Sequence, residues 1–327
     1  MTTTVSPQPP ADTTGRRRRV LELVQSYGVI GALLLLGLVA TAFSPSFANP
    51  GNLTAIVTAA CFIGLITIGQ SFVLISGGID LSVGSMVGLG TVVAALAAPY
   101  GWALALIAPI LTGAVMGLIN GLLIGKARMA PFIVTLSALL AVKGIALVLA
   151  GSSIVIPGGT FTAISNGSLL GVSNLIWILL AAFALAALVL NRTTFGSRVF
   201  ALGGNEDAAK MLGVDVGNIK VAVYTISGAL AGLSGALLAS RLSSGVATLG
   251  TGYELRSIAA AVIGGVLLTG GVGSMLGALC GALLIATIGN VINQIGSLNA
   301  YYQDLVTGLF LVLAVVIQGV LTNRRRQ

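Results

Sequence analysis

Residues Ala201–Lys220, ALGGNEDAAKMLGVDVGNIK, are the one long internal stretch rich in charge, in a chain that is only 7% charged and 56% hydrophobic. They hold Glu206, Asp207, Asp215, Lys210 and Lys220, with Arg192 and Arg198 just upstream. The sequence on either side suits lipid, so this segment is the part able to stand in water and touch a soluble partner.

A mean hydropathy of +1.06 excludes an ordinary soluble domain, whose charged fraction is about 25%. The chain reads as an all-α polytopic membrane protein. The net charge of +8 does not indicate a nucleic-acid partner, because the bases concentrate at the two ends, Arg16–Arg19 and Arg324–Arg326. A balanced interior with basic ends is the positive-inside pattern and predicts cytoplasmic termini. Cys61 and Cys280 sit in apolar runs with no neighbouring cysteine, and the chain has no histidine. No metal site, disulfide framework or Ser/His or Cys/His catalytic arrangement is therefore expected. Arg16–Arg19, the apolar run after them and Ala40-Thr41-Ala42 imitate a signal peptide. The run from Tyr27 to Ser44 is long enough to span, and more spans follow, which favours an uncleaved first helix.

Apolar segments fall at 27–44, 53–76, 82–98, 102–125, 131–150, 175–191, 219–242, 256–270, 273–295 and 301–322. That predicts about ten transmembrane helices, with 82–98 and 256–270 short enough to be broken or re-entrant. Residues 1–26 are expected as a disordered basic tail, 27–322 as the permeating domain and 323–327 as a basic C-terminus. An inside start puts Lys126, Arg128, Arg192–Lys220 and the C-terminus on one side. Lys143 inside a span, and Arg241 and Arg256 near the outer surface, are exceptions, with Glu254 as a counter-charge. Pro45–Asn52, Gly151–Asn174 and Ser243–Leu255 become outer loops.

Gly113, Gly117, Gly121 and Gly125, like Gly273, Gly277 and Gly281, recur every fourth residue and predict close helix packing. The pentapeptides Gly84–Gly88 and Gly273–Gly277 nearly match and hint at two related halves. Between the second and third apolar segments, Gly77 and Gly78 permit a tight break, and Asp80 and Ser82 can cap the next helix near the cytoplasmic face or serve gating. Polar residues inside spans are candidates for the translocation pathway: Gln70, Asn120, Thr135, Asn290, Asn293 and Gln294. The last three share one helical face and could meet a hydroxylated solute without imposing charge; hydrogen bonding between helices is the plainer role for any one of them. Within the opening stretch, Asn205 can cap a short helix from Glu206 to Leu212 that Gly213 ends, with Ala208 and Ala209 offering a small face to a groove on a partner.

Taken together, GGIDLSVG (77–84), PFIVTL (131–136), ALGGNEDAAKMLGVDV (201–216), YTISGALAGLSGALLASRL (224–242) and GYELRSIAAAVIGG (252–265) resemble bacterial ABC importer permeases of the ribose and simple-sugar type, within the branched-chain amino acid/ribose permease superfamily. The resemblance implies a type II-like permease in the bacterial cytoplasmic membrane. Its partners would be a second permease, identical or sister, an ATPase on a separate chain that carries ATP and Mg, and an extracytoplasmic sugar-binding protein. It implies no cofactor on this chain. By position, Gly204, Asn205, Glu206, Ala208, Ala209 and Gly213 correspond to the coupling helix that docks on the ATPase, and Arg241, Tyr253, Glu254 and Arg256 to the side facing the binding protein. The chain departs from the family at Arg256, where Asp is common. The expected cargo is a monosaccharide or related neutral polyol; the rival is an ion-coupled secondary transporter that would use Asp80.

Overall fold

The computed structural model describes residues 13–295 and 300–326. Its helices are α1 (Thr13–Phe43), α2 (Pro50–Ile75), α3 (Val83–Ala97), α4 (Trp102–Gly125), α5 (Pro131–Leu149), α6 (Thr160–Asn166), α7 (Asn174–Arg192), α8 (Thr194–Gly204), α9 (Glu206–Met211), α10 (Val216–Leu242), α11 (Tyr253–Ile263), α12 (Met275–Gln294) and α13 (Ala300–Arg326). Four two-residue strands accompany them: β1 (Ile154–Val155), β2 (Ser168–Leu169), β3 (Val172–Ser173) and β4 (Ser244–Gly245). Among the described residues, seven helices are long and apolar enough to cross a membrane, and Gly28–Phe43 and Tyr301–Val316 add two shorter apolar runs. With the 11-residue α11 these account for the ten apolar segments of the sequence. The helix α1 begins at Thr13, inside the expected disordered tail, whose residues 1–12 lie outside the described part.

The packing is centred on α2, whose residues from Ala60 to Ile75 are buried. Its start is set by Pro50 in the first turn and by the Asn49 side chain, which accepts from the Gly51 amide at 2.9 Å. Its end is a Schellman turn: Gly77, at φ +82°, donates to Leu74 O, and Gly78 donates to Val73 O, both at 2.9 Å. The outer helices turn large apolar side chains outward, as at Leu111 of α4, Ile133 of α5 and Leu185 of α7. That inside-out distribution suits a surface solvated by hydrocarbon.

The glycine ridge of α4 does what its spacing predicts. Gly113, Gly117, Gly121 and Gly125 lie directly on the backbone of Gly228, Tyr224, Val221 and Gly217 in α10, where an added Cβ would overlap main-chain atoms. Gly277 and Gly281 bring α12 equally close to Gly264 and Ala260, at the end of α11.

Lys126, Arg128, Arg192 and Lys210 lie at or beyond helix ends, Lys220 near the start of α10 and Arg198 on the short α8, all on one side, where Gly125 touches Gly217 and the end of α2 touches Gly203. This basic end is opposite the end that carries α6 and the small sheets. There β1 pairs antiparallel with β4, Ile154 against Gly245.

Two segments are broken at mid-depth. After α2 the chain turns back inward, runs without helix or strand through residues 78–82 and becomes helical only at Val83. The Asp80 carboxylate meets Ser227, eleven residues into α10, which is about 16 Å of helix from its start. Asp80 is fully buried, so the expectation of a capping site near the face is corrected. Two short hydrophilic-looking residues between apolar runs mimic a surface turn in sequence, yet here they plunge inward. The second break runs the other way. Residues 244–250 descend from the far end along α3, with Val246 bonded to Thr91 and Ala247 against Gly88. At the junction Gly84 and Gly250 touch, each leaving no room for a Cβ on the other, and α11 then continues towards the basic end. The segment Ser243–Leu255 is thus re-entrant, and the expected outer loop is corrected. Irregular backbone is tolerated there because it is enclosed by protein.

Candidate functional site

Three sets of polar residues remain once packing is accounted for. They lie at the basic end, at mid-depth and in the far half.

At the basic end α8 and α9 form a projecting knob. Asn205 is the N-cap of α9, and its Oδ1 accepts from the Ala208 amide at 3.0 Å. Gly213, at φ +78°, closes the helix: it donates to Lys210 O at 3.0 Å, and Val214 donates to Ala209 O at 3.0 Å. Glu206 and Asp207 occupy the first turn, where the helix dipole favours acids. Glu206 is tied by Lys220 Nζ at 2.8 Å and Lys210 Nζ at 2.9 Å. The Lys220 hydrogen bond, followed by that of Lys210, holds its carboxyl below the ordinary glutamate range. Asp215 caps α10, accepting from Asn218 N at 3.0 Å, and lies 3.7 Å from Lys126; the Asn218 amide is the main reason its carboxyl also stays below its usual range.

The face presented outward differs from the one expected. Ala209 is buried at 1% exposure, packed inward, because a helix of six residues needs one side to rest on α8 and α10. Ala208 and Gly204 are exposed, and the apolar tip is made by Met211 and Leu212, 84% and 81% exposed. Those two residues were missed because any membrane sequence is full of such side chains; only their place after a capped turn distinguishes them.

At mid-depth Asp80 accepts from Ser82 N at 3.0 Å and Ser82 Oγ at 2.5 Å through one oxygen, and from Ser227 Oγ at 2.9 Å through the other. Asn120 Nδ2 donates to Ser82 Oγ at 3.0 Å, and Tyr224 OH donates to Ile79 O at 3.0 Å. Ser82 stands at the N-cap of α3 but does not cap it with its side chain, which is spent on Asp80. The group fastens the non-helical 78–82 segment to α4 and α10. Asn120, taken from the sequence as a pathway residue, belongs to this joint. Gly78 allows it, since a Cβ there would stand 2.6 Å from Tyr224 OH.

The far half holds a cleft of ≈ 410 Å³ between α2, α11, α12 and α13. One wall is apolar, including Ala59 and Ile63 of α2; the other carries Tyr253, Arg256, Asn290, Asn293, Gln303 and Thr307. Its volume is in the range of small-molecule sites. Asn290 exchanges amide bonds with Asn52, donating at 2.8 Å and accepting at 3.2 Å, and Gln303 Nε2 donates to Asn293 Oδ1 at 2.9 Å. Gln294, one turn beyond Asn290, donates to it at 3.0 Å and lines a separate cleft against Leu36 and Phe43 of α1. The shared face of the three residues is therefore divided between two hollows.

The other candidates lie elsewhere. Thr135 is fully buried and donates to Pro131 O of its own helix at 2.9 Å. Gln70 is fully buried on α2, and neither of its side-chain polar atoms has a hydrogen-bond partner among the described residues. Arg241 remains at the far surface, where it donates to Asn166 Oδ1 at 2.7 Å. Tyr253 and Arg256 are in the cleft, and Glu254 lies at mid-depth beside Gly84, lining a small hollow with Lys143. The counter-charge of Arg256 is Asp304, at 2.6 Å, in place of the expected Glu254.

The family model described as branched-chain amino acid transport system / permease component matches residues 52–315. The chain is 38% identical to a ribose import permease protein of Bacillus subtilis (strain 168), over 90% of this chain and 93% of that protein. It is 35% identical to an L-arabinose ABC transporter permease protein of Azospirillum brasilense, over 98% of this chain and 96% of that one. A ribose import permease protein of Escherichia coli (strain K12) is 37% identical, over 91% and 94%. No solved structure matches significantly.

Proposed function

The chain belongs to the permease family of the branched-chain amino acid transport system, and from its likeness to ribose and L-arabinose permeases we propose that it is the membrane-spanning permease subunit of an ATP-driven importer of a monosaccharide such as ribose or L-arabinose. It is a transporter subunit and not an enzyme. In this reading it sits in the bacterial cytoplasmic membrane with the basic end and both termini in the cytoplasm. A separate ATPase chain holds ATP and Mg, a sugar-binding protein delivers cargo to the far face near Arg241, and a second permease, identical or sister, completes the assembly.

The observation that carries the reading is the knob. A short helix capped at both ends, with Met211 and Leu212 bare at its tip and charges around them, is built to insert into a groove on another protein. Approach of the ATPase domains on binding ATP would push α9. Its displacement passes through Glu206 and Lys220 to α10, which also holds the mid-depth joint at Ser227 and contributes Leu238 to the cleft. Asn290 and Asn293 line the sugar's route in this scheme, whereas Gln70, Thr135 and Asn120 serve packing or the joint. Asp80, the acid an ion-coupled transporter would need, has both oxygens satisfied by protein donors, which favours the ATP-driven reading.

The test is to co-purify the chain with its ATPase and binding protein and measure sugar-stimulated ATP turnover. The double substitution Met211→Asp, Leu212→Asp should lower stimulation at least about tenfold, as burying two charges in an apolar groove requires, while membrane insertion is unchanged. Full stimulation in that variant would remove the knob from the coupling path.

A further inference from the structure

Among the described residues, Arg256 is the cationic side chain that lines the far-half cleft. Its Nε and Nη2 both donate to Oδ1 of Asp304, at 3.1 and 2.6 Å. Arg256 is 20% exposed and Asp304 62%, so the guanidinium lies in the wall and its counter-ion stands at the wetter side. A guanidinium has five N–H donors in a fixed fork. With two used on one oxygen, the remaining donors are available to a cleft occupant.

The rest of the polar wall is neutral: the amides of Asn290, Asn293 and Gln303 and the hydroxyls of Tyr253 and Thr307. Facing it is the apolar stripe of α2, with Phe62 among its aliphatic side chains. A sugar ring offers the same division, with hydroxyls that donate and accept at its edge and C–H groups on its faces. An unpaired arginine would make this an anion site; the Asp304 carboxylate cancels its charge.

We propose that the cleft is a sugar-contact site in which Arg256 donates to solute hydroxyl oxygens, while Asp304 acts as a charge filter that admits neutral monosaccharides and refuses sugar acids. The proposal rests on the reading of the chain as a sugar permease and adds the site and the source of its charge preference. A carboxylate on the solute could reach the remaining donors of Arg256 only beside the Asp304 carboxylate, which would repel it. Removing that negative charge leaves the positive charge of Arg256 uncompensated, so a solute carboxylate is attracted to its remaining donors where before it was repelled. Discrimination therefore comes from a repulsive element as much as from attraction.

The experiment uses the full-length chain in lipid nanodiscs with Cys61→Ala and Cys280→Ala, and a reporter thiol at Gly289→Cys. Gly289 lines the cleft, and a Cβ there would stand 3.4 Å from Gln303 Oε1, an ordinary contact. The alkylation rate of this thiol is measured against D-ribose, L-arabinose and the corresponding aldonates. At least one neutral sugar should slow labelling, and the aldonates should need at least about tenfold higher concentration. Asp304→Asn should lower the half-protecting aldonate concentration at least about tenfold, with that of the neutral sugar shifting less than about threefold. Adding Arg256→Gln should erase the gain. Asp304→Ser serves as the second variant if the first does not insert. Failure of both sugars to protect, or an aldonate response unmoved by Asp304→Asn and Asp304→Ser, overturns the proposal. Sugar-stimulated ATP turnover of the assembled complex is measured in parallel; if it persists while protection fails, the cleft assignment falls and the permease reading stands.

Discussion

Asp80 and Glu206 are both carboxylates that tie an interrupted stretch of chain to α10, one through Ser227 and the other through Lys220. They do it in opposite surroundings. Asp80 is fully buried and accepts only from neutral donors, two hydroxyls and one amide. Glu206 is 41% exposed and is held by two ammonium groups. An enclosed group has no water to fall back on, so losing it strands every donor that faced it. An exposed pair exchanges one set of charge contacts for hydration at little net cost. The helix α10 is thus tied firmly to the mid-depth joint and loosely to the knob, although its own basic end packs closely on α4.

The sharpest way to break this comparison is Asp80→Ala. It strands three buried donors, at about 1–3 kcal/mol for each that finds no other acceptor, read as a lowered unfolding midpoint in detergent, with Asp80→Asn losing less because one acceptor remains. A midpoint equal to the parent's would show that the joint bears no strain. Gly213→Ala falls between the extremes. Nothing crowds a Cβ there, so the whole effect is the left-handed backbone, about 1–2 kcal/mol, confined to α9. Amide hydrogen exchange across 205–214 should quicken while the amides of α10 beyond Ser227 keep their protection. The smallest effect is expected at Glu206. Its folded carboxyl titrates below the ordinary range, so the tie contributes fully above that range and is lost as pH falls through the depressed folded value. Glu206→Gln should cost less than about 1 kcal/mol and abolish that acid dependence. Raising salt should mimic the substitution in the exchange of α9 and leave the Asp80 joint untouched. Equal salt sensitivity at both sites would erase the distinction.

What could be read in advance divides along the same line. The cap at Asn205 and the stop at Gly213 were legible because both act on amides within three residues of themselves. The α4 ridge was legible because a four-residue spacing of glycine has one use on a helix. By contrast, the depth of Asp80 was hidden: two apolar runs joined by GGIDLS look the same whether the join lies at the surface or at the centre. The run 244–250, two strand residues followed by turns, was taken for a loop because it lacks the apolar length of a span, and the N–H and C=O of its Val246 are satisfied by Thr91 of α3, far away in sequence. Arg256 was matched with Glu254, its near neighbour, while its partner Asp304 is 48 residues on.

From the sequence alone came the number and kind of helices, the close α4–α10 contact and the polar knob, because hydropathy, glycine period and capping chemistry act over one or two turns and need no partner. Only the tertiary structure decided which polar residues face a hollow, which acid is sealed and which cation is neutralised. Those outcomes depend on where side chains from distant segments meet in a medium of low polarity, where an unpaired group is costly and its partner must come from whatever element lies alongside.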